Sequence, residues 1–180
     1  KSVKGDTVSY IVNRNINYTN ICLYKCGFCA FSKGSTRNMR GPAYRLDFDE
    51  IGRRATEAVD RGATEVCLQG GIHPDYDGNT YLSVLAAVRA AAPGLHIHAF
   101  SPLEVTHGAH TLGLSLHDFL AKLQAAGLAT LSGTAAEILD PEVRVEAADG
   151  PALLRPVDLA RDDGPPDGHA VALAVVRAEL

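Results

Sequence analysis

The sequence has 180 residues, which is enough for one domain with a hydrophobic core, and its 46% apolar and 21% charged content is ordinary for a globular protein. A formal net charge of −4 gives no reason to expect nucleic acid or an anionic membrane surface as a partner. No apolar run reaches the length of a membrane span, so no membrane partner is expected. Three of the four cysteines are clustered, which disfavours a secreted disulfide scaffold and favours a reducing cytoplasm.

The first predicted elements are a strand, a helix and a second strand. Apolar and polar residues alternate around Ile11, which predicts a strand whose later half carries a polar face of asparagines. Asp47 and Glu50 have the spacing of a capping box, and apolar residues then recur at helical spacing until Gly62 ends the helix. A short apolar run around Val66 is typical of a buried parallel strand.

The same alternation of strand and helix continues along the chain. A second helix is predicted over residues 80–92, and a third strand is centred near Ile97. Ser115 is the predicted N-cap of a third helix that ends before Gly127. A fourth strand is predicted near Thr130.

This serial order predicts an α/β fold with parallel strands joined by helices. The sequences QGG, FSP and SGT fall where the second, third and fourth strands end. Active sites of parallel barrels, and of open parallel sheets, lie at the carboxyl ends of the strands. We therefore expect Cys29, Gly71, Ser101 and Ser132 to converge at one edge.

The carboxyl-terminal segment has a different composition. Residues 147–180 contain no aromatic residue and are rich in Ala, Pro, Asp and Gly. We interpret residues 1–146 as the folded domain and 147–180 as a tail, linker-like or unrelated to the domain.

Three cysteines, Cys22, Cys26 and Cys29, have the spacing C-x3-C-x2-C. A zinc site would need a fourth ligand, either Cys67 or a histidine. A 4Fe–4S cluster held by three thiolates would leave one iron open to a small chelating molecule, which suits catalysis. Cys67 lies within a strand, where a cysteine usually behaves as a small buried apolar residue, so we do not expect it to be a ligand.

The stretch CLYKCGFC resembles the signature of radical S-adenosylmethionine (SAM) enzymes, whose scaffold is a full or partial TIM barrel. The resemblance implies a 4Fe–4S cluster on the three cysteines, with SAM chelating the open iron. It implies that Phe28 lies near the adenine of SAM, and that Gly70 and Gly71 lie near its methionyl group. Ile72 follows these glycines where many members have Glu.

Further motifs resemble the branch of radical SAM enzymes that makes deazaflavin and menaquinone precursors. These motifs are NRNINYTNIC, EVCLQGGIHPD, HIHAFSPLEV and GTAAEILD, and they lie within residues 5–144. HAFSPLEV and GTAAEIL are most similar to the family of 5-amino-6-(D-ribitylamino)uracil–L-tyrosine 4-hydroxyphenyl transferases. That family implies a 5′-deoxyadenosyl radical that abstracts hydrogen from tyrosine, cleavage at Cα–Cβ, and addition of the 4-hydroxybenzyl group to the uracil. It also implies a ferredoxin or flavodoxin as electron donor and the first component of the deazaflavin-forming system as partner.

Several other polar residues are candidates for contacts in the site. His96 and His98 share one face of the third strand, and either a structural hydrogen bond or substrate contact is possible for them. His73 is a similar candidate for substrate. Glu137, at the end of the fourth strand, is a candidate for contact with SAM or substrate, although a carboxylate at a helix start would look the same.

Two alternatives to a transferase remain at the level of sequence. One is the related cyclic dehypoxanthine futalosine synthase of the menaquinone pathway, and the other is an inactive remnant that still binds the cluster. The similarity to the family stops near Arg144, with four predicted strands before it, whereas a complete barrel takes 200 or more residues. We therefore expect an incomplete and inactive enzyme with an open half-barrel, whether the tail is natural or follows a frameshift.

Overall fold

A computed structural model describes residues 8–24 and 42–132 of the chain. The predicted domain boundary after residue 146 and the tail 147–180 lie outside these ranges. No helix within the described ranges is both long enough and apolar enough to cross a membrane.

The described residues form three strands and four helices, which alternate along the chain except that the last two helices are consecutive. These are β1 (Asn13–Asn17), α1 (Phe48–Asp60), β2 (Glu65–Gln69), α2 (Gly78–Ala91), β3 (His96–Ala99), α3 (Pro102–Thr111) and α4 (Leu116–Ala125). The strands pair in the order β1–β2–β3, and both pairings are parallel. The α/β class with parallel strands is therefore confirmed.

One face of the sheet is apolar and the other is polar. Ile16, Val66, Leu68, Ile97 and Ala99 are fully buried and belong to one core together with the inner faces of the helices. Burying a Val, Leu or Ile side chain stabilises the fold by about 1.5–3 kcal/mol. Because side chains alternate along a strand, the residues between these positions point to the opposite face, away from the helices.

The helix starts follow the predicted capping residues. Asp47 accepts a hydrogen bond from the backbone N–H of Glu50 (2.7 Å), and Ser115 caps α4 in the same way. The reciprocal half of the capping box is absent at α1, because the carboxylate of Glu50 binds Arg53 and Arg54 instead. The predicted ends are also found, since Gly62 and Gly127 follow α1 and α4 with positive φ.

The first predicted strand was placed too early. Val8, Tyr10 and Ile11 are 88%, 86% and 64% exposed, and β1 begins only at Asn13. Pairing starts there because Asn13 is the residue opposite Glu65, the first residue of β2. Alternation alone therefore predicted a strand for residues that, within residues 8–24 and 42–132, pair with no neighbouring strand.

The region after β3 also differs from the prediction. Helix α3 was not predicted, because FSPLEV was assigned to a strand end and its capping pattern was overlooked. The fourth strand is reduced, within the described residues, to an isolated parallel bridge between His98 and Thr130. Backbone hydrogen bonds from Ala99 to Thr130 and from Ser132 to Phe100 keep this segment alongside β3.

We predict that Asp77→Ala lowers the free energy of unfolding of the 180-residue chain by about 1 kcal/mol, because Asp77 caps α2 in a full capping box with Thr80. The N–H of Thr80 and the side chain of Asn79 lower the pKa of Asp77. The capping contribution is therefore present above the pKa of an unfolded aspartate, about 3.9, and is lost as the pH falls below it. Urea unfolding followed by circular dichroism at several pH values measures both effects.

The matched control is Asp60→Ala, at the exposed carboxyl end of α1. An acidic residue is unfavourable at that end of a helix, so we expect no loss of stability there. Equal destabilisation by the two substitutions would contradict the prediction.

Candidate active site

The segments that leave the three strands are hydrogen-bonded to one another at the carboxyl edge of the sheet. The N–H of Gly71 donates to the carbonyl of Thr19 (3.0 Å), and the N–H of Phe100 donates to the carbonyl of Leu68 (2.8 Å). The N–H of Ser132 in turn donates to the carbonyl of Phe100 (2.9 Å). The ends of β1, β2 and β3 and the segment after Thr130 therefore form one continuous edge.

The predicted convergence is confirmed for the residues that the structure describes. Gly71, Ser101 and Ser132 all lie at this edge. Four further site residues were predicted from the sequence but lie outside the described ranges: Cys26, Phe28, Cys29 and Glu137.

Cys22 is the one cysteine of the motif within the described residues, and it lies against the turn that follows β2. Its Sγ accepts a hydrogen bond from the N–H of Ile72 (3.3 Å). The N–H of Leu23 donates to the carbonyl of Ile72 (2.8 Å), so both the N–H and the carbonyl of Ile72 bind the segment that contains Cys22. Hydrogen bonds to ligand sulfurs help to set the potential of iron–sulfur clusters, so this contact is compatible with the predicted role of Cys22 as a ligand.

The two glycines of this turn are required by close packing. A Cβ on Gly71 would lie 2.2 Å from the carbonyl oxygen of Ile21 and 2.8 Å from the Cβ of Cys22. A Cβ on Gly70 would lie 2.6 Å from the ring of Tyr18. Neither glycine has positive φ, so close packing rather than backbone conformation requires them.

The polar face of the sheet carries two rows of side chains in register. One row is Asn13, Glu65 and His96, and the next is Asn15, Cys67 and His98. Within the first row, the amide of Asn13 donates to Glu65 (3.2 Å), and Nε2 of His96 lies 3.7 Å from the carboxylate of Glu65.

Both strand histidines are linked to Thr130. Its Oγ1 lies 3.0 Å from Nε2 of His96 and 2.6 Å from Nδ1 of His98. The prediction that these histidines share one face is confirmed, and the hydroxyl fixes their ring orientations. Among the described residues, no group of three His, Cys, Asp or Glu side chains is arranged to bind a metal ion.

Cys67 is half-buried on the polar face rather than fully buried among apolar residues, as had been expected. It lies opposite Asn15 and His98 in the register. Burial raises the pKa of its thiol, as do the nearby carboxylates of Glu65 and Glu104. In the absence of a metal these surroundings favour the protonated thiol, and the expectation that Cys67 is not a ligand stays a prediction.

His73 is buried in an aromatic cluster beyond the glycine turn. Its ring stacks on Tyr76 with a centroid distance of 4.7 Å, and its Nδ1 accepts the N–H of Asp75 (3.1 Å). Burial lowers the pKa of His73, and Asp75 opposes this shift. The guanidinium of Arg45 also contacts Tyr76 and lies over its ring, 5.3 Å from the centroid.

Glu104 is a site residue that sequence analysis missed. It lies in the first turn of α3, is 1% exposed, and contacts the glycine turn through the N–H of Gly70 (3.0 Å). The available signal was the spacing of Ser101 and Glu104, which form a full capping box with Pro102 at the helix start.

Comparison with known proteins identifies the family. Residues 16–154 match the family described as the radical SAM superfamily. The chain belongs to the radical SAM superfamily. The resemblance inferred from the cysteine motif is therefore confirmed.

The chain is also similar to curated radical SAM enzymes. It is 51% identical over 144 residues to "FO synthase" of Streptomyces coelicolor, covering 80% of this chain and 16% of that protein. It is 48% and 49% identical to the "5-amino-6-(D-ribitylamino)uracil–L-tyrosine 4-hydroxyphenyl transferase" of Methanopyrus kandleri and of Archaeoglobus fulgidus. These matches cover 79% and 80% of this chain but only 38% and 40% of the relatives, so the chain spans less than half of their length.

A solved structure with the same fold is that of the FeFe-hydrogenase maturase HydG from Carboxydothermus hydrogenoformans. The TM-score is 0.55, and the match covers 93% of this chain and 34% of HydG. Because the identity is 18%, this similarity concerns the fold alone.

We predict that Gly71→Ala disrupts the contact between the glycine turn and Cys22, because the added methyl group meets the backbone of Ile21. Iron bound after anaerobic reconstitution should fall to less than about half of the wild-type value, since backbone cannot move aside as a flexible side chain can.

The matched control is Gly94→Ala, where an added Cβ meets no atom within 4 Å and φ is not positive. Its iron content should equal that of the wild type. Normal iron binding by Gly71→Ala would show that the close contact with Cys22 is unimportant for the site.

Proposed function

We propose that this chain is part of a radical SAM transferase that joins the 4-hydroxybenzyl group of L-tyrosine to 5-amino-6-(D-ribitylamino)uracil. The observation that carries the proposal is the position of Cys22 on the glycine turn at the carboxyl edge, where parallel barrels hold their active sites. The printed names of relatives at 48–51% identity supply the substrates.

In this proposal Cys22, Cys26 and Cys29 ligate a 4Fe–4S cluster, with SAM on its fourth iron. The sulfur of Cys22 fits that role because it already accepts an N–H from Ile72 and lies at the edge of the sheet. When bound, the cluster and SAM supply the radical that starts the reaction on tyrosine. Reduced cysteines are needed for such a cluster, which agrees with a cytoplasmic location and a ferredoxin or flavodoxin as electron donor.

The chain's own residues would hold the two organic molecules. We assign SAM to Phe28, Gly70, Gly71 and Glu137, and the polar face to the substrates. His98 has a fixed orientation because of its 2.6 Å contact with Thr130, and His96 is held in the same way. Fixed polar groups of this kind orient a small substrate. His73 is the third candidate, and its low pKa keeps it neutral as a hydrogen-bonding group.

We predict that the reconstituted 180-residue chain holds about four irons and four sulfides, as expected for one 4Fe–4S cluster. Cys22→Ala should abolish the visible absorbance of the cluster, because one of three thiolates is lost. Cys67→Ala is the matched control and should retain it. Stoichiometric zinc without visible absorbance would contradict this part of the proposal.

The transferase activity is best tested in a chimera, because the chain spans only 40% of the A. fulgidus transferase. Residues 5–144 would replace the matching segment of that enzyme. With SAM, dithionite, tyrosine and the diaminouracil, we expect 5′-deoxyadenosine, glyoxylate and the coupled product from the chimera, and none from the 180-residue chain alone.

The unmodified A. fulgidus transferase is the control for the assay. A chimera that binds its cluster but acts on dehypoxanthine futalosine instead would identify the sister cyclase. A cluster-loaded chimera that converts neither tyrosine with the diaminouracil nor dehypoxanthine futalosine would contradict the proposed function.

A further inference from the structure

The carboxylate of Glu104 is buried and accepts four hydrogen bonds. Its Oε1 accepts from the hydroxyl of Tyr18 and from the N–H of Gly70, which is 3.0 Å away. Its Oε2 accepts from the N–H of Ser101 (2.6 Å) and from the hydroxyl of Ser101 (2.7 Å). Hydrogen bonds to a charged acceptor are about twice as strong as those between neutral groups, so this is a strong local anchor.

The donors belong to the ends of three different strands. Tyr18 follows β1, Gly70 follows β2, and Ser101 lies two residues beyond the end of β3. One side chain therefore joins the three segments that leave the sheet. A buried carboxylate would be unfavourable here without these donors, because burial in a low dielectric disfavours the charge.

The backbone next to Glu104 is itself in an unusual conformation. Phe100 has φ of 66°, which is rare for a bulky residue and persists only where its surroundings hold it. Its N–H is bound by Leu68 and its carbonyl by Ser132, and the following N–H, that of Ser101, is bound by Glu104. The carboxylate thus fixes the turn from β3 into α3.

A short path connects Glu104 to Cys22. Glu104 holds the N–H of Gly70, and the neighbouring Gly71 lies directly against Cys22. The next residue, Ile72, donates its N–H to the sulfur of Cys22. A shift of Gly70 would therefore be transmitted to the sulfur within two residues.

The protonation states agree with this arrangement. Burial raises the pKa of Glu104, while the hydrogen bonds from Tyr18, Ser101 and Gly70 oppose that shift and favour the carboxylate. Burial and the charge of Glu104 both raise the pKa of Tyr18, so Tyr18 remains a donor.

We propose that Glu104 is a positioning residue of the active site, which holds the Gly70–Gly71 turn and through it the sulfur of Cys22. The part of this proposal that concerns SAM rests on the proposed function. Glu104 does not touch the cofactor in this role. It sets the position of the Gly70–Gly71 backbone, which lies against Cys22.

The informative variant is Glu104→Gln, which keeps the shape and removes one acceptor. Whichever way the amide is turned, its NH₂ group faces a backbone N–H, either that of Gly70 or that of Ser101. Tyr18→Phe is the milder second variant, because it keeps the ring that packs on Gly70 and removes one donor. Glu50→Gln, on the outer helix α1, is the matched control.

Amide hydrogen exchange in the cluster-free chain provides the first measurement. In Glu104→Gln we expect exchange of the Leu23 and Gly71 amides to accelerate about tenfold or more, the factor for one charge-assisted hydrogen bond. The amides of Ala92 and Ala126, which are bound within α2 and α4, should change by less than about twofold, because neither shares a hydrogen-bond partner with Glu104. Acceleration at all four amides alike, or at none, would overturn the proposal.

The second measurement uses the reconstituted chimera, with each substitution introduced into its residues 5–144. The SAM concentration for half-maximal release of 5′-deoxyadenosine should rise about tenfold in Glu104→Gln at equal iron content, and less in Tyr18→Phe. An unchanged SAM requirement in both variants would overturn the proposal. If Glu104→Gln fails to fold, the amide exchange and the SAM requirement of Tyr18→Phe test the proposal instead. A wild-type chain that binds no iron would instead contradict the proposed function. The exchange data would still test whether Glu104 positions the Gly70–Gly71 turn.

Discussion

The parallel pairing of β1, β2 and β3 is the constraint on which the candidate site depends. Because all three strands run in one direction, their carboxyl ends meet at one edge. Segments far apart in the sequence then become neighbours, and Cys22 comes to lie against Ile72 although 50 positions separate them. The apolar face, with Val66 and Ile97 fully buried against the helices, keeps the register fixed.

Much of this fold was predictable from local physical rules. Asp47 and Ser115 cap helices because their side chains satisfy free N–H groups, and such caps can be recognised within a few residues. The exposed segment before Asn13 was mispredicted because alternation reports which residues could form a strand, not whether a partner strand exists. Helix α3 was missed because its capping pattern at Ser101 was overlooked, and because the chain turns at Phe100 without a glycine to mark the change.

The site was predictable in part for similar reasons. The spacing of the cysteines and the glycines at the end of β2 are visible in the sequence, and Cys22 and Gly71 indeed meet. The spacing of Ser101 and Glu104 could have predicted a helix start, but not that the carboxylate is buried and binds Gly70 across the site. The reason for the glycines was also hidden, since it lies in the packing of Tyr18 and Ile21 across the turn.

The two-sided sheet has a consequence for how such a protein can diverge. Neighbouring positions on one strand, such as Ile97 and His98, serve different ends, because one supports the core and the other faces the opposite side. Substitutions at His98 or Cys67 can therefore change the polar face of the sheet without emptying the core on its other side. Alternate positions along each strand thus separate residues that stabilise the fold from residues that are free to change, so the polar face can diverge without loss of the scaffold.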